Sequence, residues 1–276
     1  MSMTLKDTVK LNNGLSMPRV GLGVFKVEEE EQLMSAVKAA IKHGYRSIDT
    51  AAIYGNEQWV GQAIKESGVV REELFITSKV WNADQGYNET IQAFETSLEK
   101  LGLEYLDLYL IHWPVEGEYV DTWKAIEYLY NEGKIKAIGV SNFQIHHLET
   151  LFKEGTVKPV VNQVELHPKL NQKALRDFAA TYDIKIEAWA PLMQGELFKN
   201  SALNELATKH NKSVAQIVLR WHLQNDVIII PKSTKENRIQ ENVDLFDFEL
   251  SLEDMKRINN LNEDHRVGPN PDSFDF

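Results

Sequence analysis

The chain has 276 residues, of which 43% are hydrophobic and 26% are charged, and it contains no cysteine. Its 41 acidic and 30 basic side chains give a formal net charge of -11 at pH 7, so the surface as a whole repels nucleic acid and anionic lipid. Without cysteine, disulfides, thiolate nucleophiles and cysteine-bound metals are excluded, which fits a reducing compartment. The polar start lacks a signal-peptide core and no apolar run could span a bilayer. We therefore expect a cytoplasmic protein with no nucleic-acid or membrane partner.

The first predicted element is a β-hairpin over residues 8–17, because Asn13 and Gly14 form the dipeptide of a tight hairpin turn. After it, short apolar runs rich in Val, Ile and Leu recur, as expected of strands that are buried on both faces of a parallel sheet. These runs span residues 19–23, 46–49, 74–78, 106–111, 137–140, 160–163, 184–188 and 227–230.

Helical patterns lie between these runs, and several end at a glycine, which favours the left-handed backbone that closes a helix. Eight β/α repeats within about 250 residues are typical of a TIM barrel. The long gap before the last run leaves room for an additional helix at residues 201–209. We predict a single α/β domain over residues 1–276, a (β/α)8 TIM barrel with an N-terminal β-hairpin and two extra helices. A doubly wound sheet is the alternative, but the chain shows no interdomain linker.

Four ionisable side chains stand where three successive strands of such a barrel end. Asp49 ends the second run, Tyr54 lies in the loop after it, and Lys79 and His112 follow the next two runs. Residues at these positions meet on one face of a barrel, where barrel enzymes place their chemistry. Reduction of a carbonyl needs a hydride on carbon and a proton on oxygen. Tyr54 would donate the proton, Lys79 held by Asp49 would lower the pKa of Tyr54, and His112 would donate a hydrogen bond to the substrate oxygen.

Apolar and aromatic side chains occupy the same predicted face. Val24 and Phe25 follow the first run, and Trp81 and Trp113 follow the third and fourth. Exposed aromatic walls suit a pocket for a small apolar substrate, and we assign these four residues to substrate binding. Ordinary packing at the barrel rim is the alternative explanation for the two tryptophans.

Four motifs in this order resemble those of the aldo-keto reductases. They are Gly-Tyr-Arg-Ser-Ile-Asp-Thr-Ala at 44–51, Leu-Asp-Leu-Tyr-Leu-Ile-His-Trp-Pro at 106–114, Ile-Gly-Val-Ser-Asn-Phe at 138–143, and Ile-Pro-Lys-Ser at 230–233 followed by Arg238. The resemblance covers essentially the whole chain. It is strongest to short-looped bacterial members, namely the glyoxal/methylglyoxal reductases and the 2,5-diketo-D-gluconate reductases. It implies a barrel that binds NADPH without a Rossmann domain and passes hydride to an aldehyde or ketone.

The resemblance also assigns roles to individual residues. It makes Tyr54 the proton donor, Lys79 and Asp49 the groups that tune it, and His112 the group that orients the carbonyl. The residues that it assigns to the cofactor are Ser141, Asn142 and Gln163 at the nicotinamide carboxamide, Trp189 on the nicotinamide ring, Ala190, Pro191, Leu192, Gln194 and Gly195 in the segment that follows, with backbone contacts to the pyrophosphate, Lys232, Ser233, Thr234 and Arg238 at the adenosine 2′-phosphate, and Glu241 and Asn242 near the adenine. From the residues alone, Lys232 and Arg238 also suit a helix cap with solvated bases.

The loops at residues 115–120 and 266–276 are short, which is expected to leave the pocket open to several small carbonyls. Many relatives carry serine where this chain has Ala190, so any contact made by that hydroxyl is lost. The leading hypothesis is a monomeric NADPH-dependent reductase of small carbonyls such as methylglyoxal and glyoxal, in carbonyl detoxification. A keto sugar of the 2,5-diketo-D-gluconate type is the alternative substrate.

Two other classes of function stay open at this point. One is an NADPH-binding regulatory module with residual reductase activity. The other is a metal-dependent barrel hydrolase that uses histidines and acids, with the candidate ligands His112, His146, His147 and His167. Adjacent His146 and His147 on one helix are expected not to face the same ion, so we predict no metal site.

Overall fold

The computed structural model describes residues 3–276; the first two residues of the polar start lie outside the described part. Two strands form a small antiparallel hairpin, β1 (Thr8–Lys10) and β2 (Ser16–Pro18). Eight strands form a parallel sheet, β3 (Gly21–Gly23), β4 (Ser47–Asp49), β5 (Phe75–Val80), β6 (Leu108–Ile111), β7 (Ile138–Ser141), β8 (Val161–Glu165), β9 (Lys185–Trp189) and β10 (Ile228–Ile229).

Strands that are neighbours in the chain are also neighbours in the sheet, from β3 through to β10. The two edges then meet, because Val20 forms a parallel bridge with Ile229 and the Ile229 amide donates to the Arg19 carbonyl at 3.0 Å. A Cβ atom on Gly23 would lie 2.9 Å from the Ile230 carbonyl oxygen, so glycine permits the close approach at this seam. The sheet is therefore a closed barrel, and the predicted (β/α)8 fold is confirmed.

Helices cover the outside of the barrel. They are α1 (Glu30–Lys42), α2 (Glu57–Glu66), α3 (Tyr87–Leu101), α4 (Tyr119–Asn131), α5 (Ile145–Glu154), α6 (Lys173–Thr181), α7 (Ser201–His210), α8 (Val214–Gln224), α9 (Glu236–Glu241) and α10 (Leu252–Asn259). The two extra helices are α7 and α10. Asp254 of α10 links them, because its carboxylate accepts a hydrogen bond from Lys209 of α7 at 2.7 Å and lies 3.0 Å from His210 of α7. No helix within residues 3–276 combines the length and the apolar composition needed to cross a membrane.

The hairpin closes the amino end of the barrel. Val9, Leu11 and Met17 are buried against the first residues of several barrel strands, among them Phe75 and Leu108. Two side-chain amides of the hairpin turn also donate to barrel carbonyls. This end is thus a sealed apolar layer, which leaves the carboxyl end of the strands as the open face.

Some boundaries differ from the sequence prediction. β5 continues to Val80 and β8 to Glu165, so Lys79 lies within its strand rather than in the loop that follows. β10 has only the two residues Ile228–Ile229 where four were predicted. Its two residues pair with β9 on one side, and Ile229 also forms the bridge to Val20 on the other side, so a short strand is enough to complete the barrel.

Candidate active site

A cavity of about 930 Å³ opens at the carboxyl end of the barrel strands. This volume lies within the range of sites that hold small molecules and cofactors. Most of the residues predicted from the sequence line it, namely Asp49, Tyr54, His112, Ser141, Asn142, Gln163, Trp189, Ala190, Pro191, Leu192, Gln194, Gly195, Lys232, Ser233, Arg238, Glu241, Asn242, Phe25, Trp81 and Trp113. Three predicted residues lie elsewhere: Lys79 is buried beneath the cavity, Val24 packs in the core, and Thr234 is outside the lining.

The floor of the cavity contains a buried ion pair. Asp49 ends β4 opposite Thr77 of the adjacent β5, and Lys79 lies two residues further along β5, so the two side chains enter the barrel close together. The Lys79 ammonium lies 2.7 Å from Asp49 Oδ1 and donates to the Thr50 carbonyl at 2.9 Å. Burial lowers the pKa of Lys79, but the charges of Asp49, Tyr54 and Glu187 and the hydrogen bond to Asp49 together outweigh burial, so the net shift is upward. Lys79 is therefore charged throughout the neutral range.

Tyr54 lies directly above this pair. It ends a single 3₁₀ turn, Ala52–Tyr54, and the Lys79 ammonium lies 5.2 Å from the centre of its ring. The sequence predicts a lowered pKa for Tyr54, but the structure gives a raised pKa. Burial is the largest contribution, and with the charges of Asp49 and Glu187 it outweighs the lowering by Lys79. Tyr54 is thus a protonated phenol at neutral pH, with a cation placed to stabilise the phenolate formed when its proton leaves.

His112 completes this group of four. Its ring lies 5.8 Å from that of Tyr54 and 5.2 Å from that of Trp81, centre to centre. Burial, and then the charge of Lys79, hold the pKa of His112 well below 6.5. The imidazole is therefore neutral and can donate through one ring nitrogen only. Its Nδ1 atom is buried without a hydrogen-bond partner among residues 3–276.

Three polar side chains beside this group are held in fixed orientations. Asn142 adopts a φ of 64°, and its amide nitrogen donates to the His112 carbonyl at 2.9 Å and to Ser141 Oγ at 3.1 Å. Its amide oxygen accepts from the Trp189 indole at 2.8 Å. The hydroxyl hydrogen of Ser141 and one lone pair of the Asn142 oxygen stay available to a bound molecule.

The third of these side chains is Gln163, and it contacts a residue that the sequence analysis missed. Its amide nitrogen donates to Asp49 Oδ2 at 2.8 Å and to Glu187 Oε2 at 2.7 Å. Burial and the charge of Asp49 raise the pKa of Glu187 from its usual 4.5 to about 8. The signal in the sequence was a single glutamate within the apolar run 184–188, which we read only as part of a strand.

The C-terminal segment forms an aromatic wall that was also missed. Phe276 stacks on Trp81 with ring centres 5.8 Å apart, and it meets Trp113 edge-on at 5.3 Å. Trp113 is only 6% exposed, so it is not the open wall that the sequence predicted. Glu165 anchors this segment by accepting from the Val267 amide at 2.6 Å. The short tail therefore narrows the cavity, contrary to the expectation that it leaves the pocket open.

At the far end of the cavity two cations are exposed. Lys232 and Arg238 both line it, while the nearby Glu236 pairs with Lys42 at 2.9 Å and lies 3.2 Å from His43. Neither Lys232 nor Arg238 forms an ion pair with a carboxylate within residues 3–276, and Glu236, the acid between them in the sequence, pairs elsewhere. Two such cations suit an anionic group such as a phosphate.

One cluster bears on the metal-dependent alternative. His146, His147 and Asp272 bring possible ligand atoms within 4.8 Å of one another, so the expectation that the two histidines cannot face one ion is wrong. However, His147 Nδ1 accepts from the Gln144 amide at 3.0 Å, which places the proton of a neutral ring on Nε2 and leaves no free lone pair. None of the three lines the cavity.

Comparison with known sequences gives matches that cover most or all of the chain. The model of the Aldo/keto reductase family matches residues 19–263. Glyoxal reductase of Bacillus subtilis is 66% identical over 276 residues, which is 100% of both chains. Methylglyoxal reductase DkgA of Escherichia coli K12 is 48% identical over 276 residues, 99% of each chain.

Solved structures agree with these matches. An aldo-keto reductase from a Medee basin deep-sea metagenome library superposes with a TM-score of 0.95 at 48% identity, over 98% of this chain and 100% of that one. A mutant of Gox0644 in complex with NADPH gives 0.94 at 43% identity, over 98% and 99% of the two chains. The family predicted from the motifs is thus confirmed, and the chain belongs to the aldo-keto reductases, a family of oxidoreductases that act on carbonyl groups.

Proposed function

We propose that this protein reduces small aldehydes and ketones, with NADPH as the hydride donor and Tyr54 as the proton donor. The observation that carries the proposal is the arrangement of Tyr54 above the buried Asp49–Lys79 pair and beside a neutral His112, all at one cavity. A raised pKa keeps the phenol protonated until a stronger base, the oxygen that gains charge during reduction, takes the proton. The ammonium of Lys79 then stabilises the phenolate that is left.

The residues fit the proposed cofactor at both ends of the cavity. The free hydroxyl hydrogen of Ser141, the remaining lone pair of the Asn142 oxygen and the free oxygen of Gln163 amount to one donor and two acceptors. They complement the carbonyl and the two N–H groups of a nicotinamide carboxamide. Lys232 and Arg238 suit the 2′-phosphate that distinguishes NADPH from NADH. NADPH, when bound, would supply the hydride. The complex of Gox0644 with NADPH supports the same choice.

His112 has a separate role in the proposal. A neutral imidazole that donates one N–H can hold the substrate oxygen close to the Tyr54 hydroxyl without competing to be the acid. The asparagine that follows Ser141 donates to the backbone carbonyl of His112 and so fixes the position of this residue. Proton donation by Tyr54 and orientation by His112 are thus divided between two side chains.

For the substrate we propose glyoxal, methylglyoxal and similar small carbonyls. The names of the Bacillus and Escherichia relatives support this class. The aromatic wall of Trp81, Trp113 and Phe276 restricts the cavity near His112, which favours small molecules. A keto sugar is the alternative substrate. A cytoplasmic location and a monomeric state stay predictions from the sequence.

The test is the oxidation of NADPH by the purified protein, followed by absorbance, with methylglyoxal, glyoxal, aromatic aldehydes and keto sugars. We expect steady-state turnover that is highest with the two small dicarbonyls. Faster turnover of the keto sugars would favour the alternative substrate. A single slow turnover without a steady state would favour the regulatory module. A protein that neither binds nor oxidises NADPH would overturn the proposal.

A further inference from the structure

Glu187 has no part in the proton transfer described above, yet it is buried directly beside the site, in contact with Gln163. In the barrel register Ser141 pairs with Gln163, and Gln163 pairs with Glu187, so the three side chains form one row across β7, β8 and β9. Glu187 is 1% exposed. A buried carboxyl group is retained at such a position only where its surroundings satisfy it, and here its partner is the Gln163 amide.

The contacts of Gln163 use both hydrogens of its amide nitrogen. One goes to Asp49 Oδ2 at 2.8 Å and the other to Glu187 Oε2 at 2.7 Å. An amide group is planar, so two fixed hydrogens determine where its oxygen points. No residue within 3–276 donates to the Gln163 oxygen, and Gln163 lines the cavity. The side chain therefore presents a carbonyl oxygen, and not an N–H group, to whatever occupies the cavity.

We propose that Glu187 is a positioning residue that holds the Gln163 amide with its oxygen towards the cavity, where it accepts a hydrogen bond from an N–H of the nicotinamide carboxamide. The inference rests on the proposed function, because it concerns the same cofactor. With Asp49 as the only acceptor, the amide would be held at one point and could pivot about it. The second acceptor fixes its plane.

The charges around the site explain why a glutamate can serve here. Besides Glu187 on β9, the titratable groups at the site are Asp49 on β4, Lys79 on β5, and Tyr54 and His112 in the loops above. The single ammonium already balances Asp49. A protonated Glu187 adds no second negative charge near Tyr54, and its carbonyl oxygen still accepts from Gln163. Its raised pKa is consistent with this neutral form at pH 7.

The experiment compares the binding of NADP+ with that of its acetylpyridine analogue, in which a methyl group replaces the carboxamide NH₂. Dissociation constants are measured by quenching of tryptophan fluorescence, without substrate. For the wild type we expect the analogue to bind roughly tenfold more weakly, the loss of one or two hydrogen bonds. In Glu187→Met and Glu187→Ala this ratio should fall to about twofold, because the Gln163 oxygen is no longer fixed. Methionine and alanine differ in volume, so the test does not depend on a single variant. A result from either variant is enough if the other fails to fold.

Two further variants serve as controls. Glu187→Gln keeps an acceptor for Gln163 and should keep the ratio within about twofold of the wild type. Glu57→Gln changes another buried carboxylate, which accepts from Ser78 at 2.6 Å outside the cavity lining, and should also leave the ratio unchanged. The inference about Glu187, but not the proposed function, would be overturned by either of two results. One is an unchanged ratio of dissociation constants in Glu187→Met or Glu187→Ala, and the other is a ratio in Glu187→Gln that falls as far as in those variants. Failure of the wild type to bind NADP+ would instead overturn the proposed function.

Discussion

The two ends of the barrel are built from the same strands but have opposite chemistry. β5 begins with Phe75 in the apolar layer under the hairpin and carries Lys79 four residues later in the ion pair of the cavity floor. β6 begins with Leu108 in the same layer and is followed by His112. The sealed end needs only apolar contacts, whereas each polar group at the open end needs a partner in a defined position. The sealed end therefore contributes to stability alone, whereas the open end carries the chemistry.

The largest effect is expected from removing the cation of the open end. Lys79→Met should leave Asp49 buried without its partner, which costs about 3–5 kcal/mol of unfolding free energy, and should also abolish the stabilisation of the Tyr54 phenolate. Urea denaturation and steady-state turnover measure the two losses. The control is the double variant Asp49→Asn with Lys79→Met, which should recover stability but not turnover. Recovery of turnover in the double variant would show that the ion pair has only a structural role.

A change at the sealed end should lower stability and leave turnover unchanged. Met17 is fully buried in the layer between hairpin and barrel. Met17→Ala should lower the unfolding free energy by about 2–5 kcal/mol through the cavity that it leaves. Below the unfolding transition the folded variant should bind NADPH and turn over as the wild type does. A weakened affinity for NADPH in the folded variant would mean that the two ends are coupled.

Within the open end, the far part of the cavity should affect the choice of cofactor without affecting the chemical step. Lys232→Ala with Arg238→Ala should raise KM for NADPH by about 10-fold to 100-fold and leave KM for NADH nearly unchanged, because the two exposed charged contacts together contribute roughly 1.5–3 kcal/mol. Lys235→Ala is the matched control, since Lys235 is an exposed cation of the same segment that does not line the cavity. Equal increases for both cofactors would contradict a 2′-phosphate site.

The most gradual effect concerns the pH dependence of stability. Because the folded-state pKa of Glu187 is raised from 4.5 to about 8, the native protein binds more protons than the unfolded chain between these values. This contribution is complete below the lower value and is lost as the pH rises through the upper one, with a slope of at most about 1.4 kcal/mol per pH unit. Unfolding free energies of wild type and Glu187→Gln should therefore diverge as the pH rises, in favour of the variant. Parallel curves would mean that Glu187 is ionised in the folded protein.

The sequence predicted the architecture and the group of four because both leave local signals. Buried parallel strands appear as Val-, Ile- and Leu-rich runs, and residues directly after such runs share one face of a barrel. Asp49, Tyr54 and His112 could be found in this way. The order of the four motifs was sufficient to predict the family.

The missed features depend on contacts between distant residues. Glu187 has meaning only through Gln163 and Asp49, which the strand register brings beside it. Phe276 reaches Trp81 only because the tail folds back over the barrel. The raised pKa of Tyr54 likewise results from the extent of burial, a quantity that no residue pattern contains.

The central claim is that Tyr54 donates the proton to the carbonyl oxygen. It is tested most directly by single-turnover oxidation of bound NADPH by methylglyoxal in Tyr54→Phe, with the dissociation constant of NADPH measured on the same samples. We predict that the rate of oxidation falls roughly 10²-fold to 10⁴-fold while the dissociation constant stays within about twofold of the wild type. A rate within a few fold of the wild type, at unchanged affinity, would contradict the account.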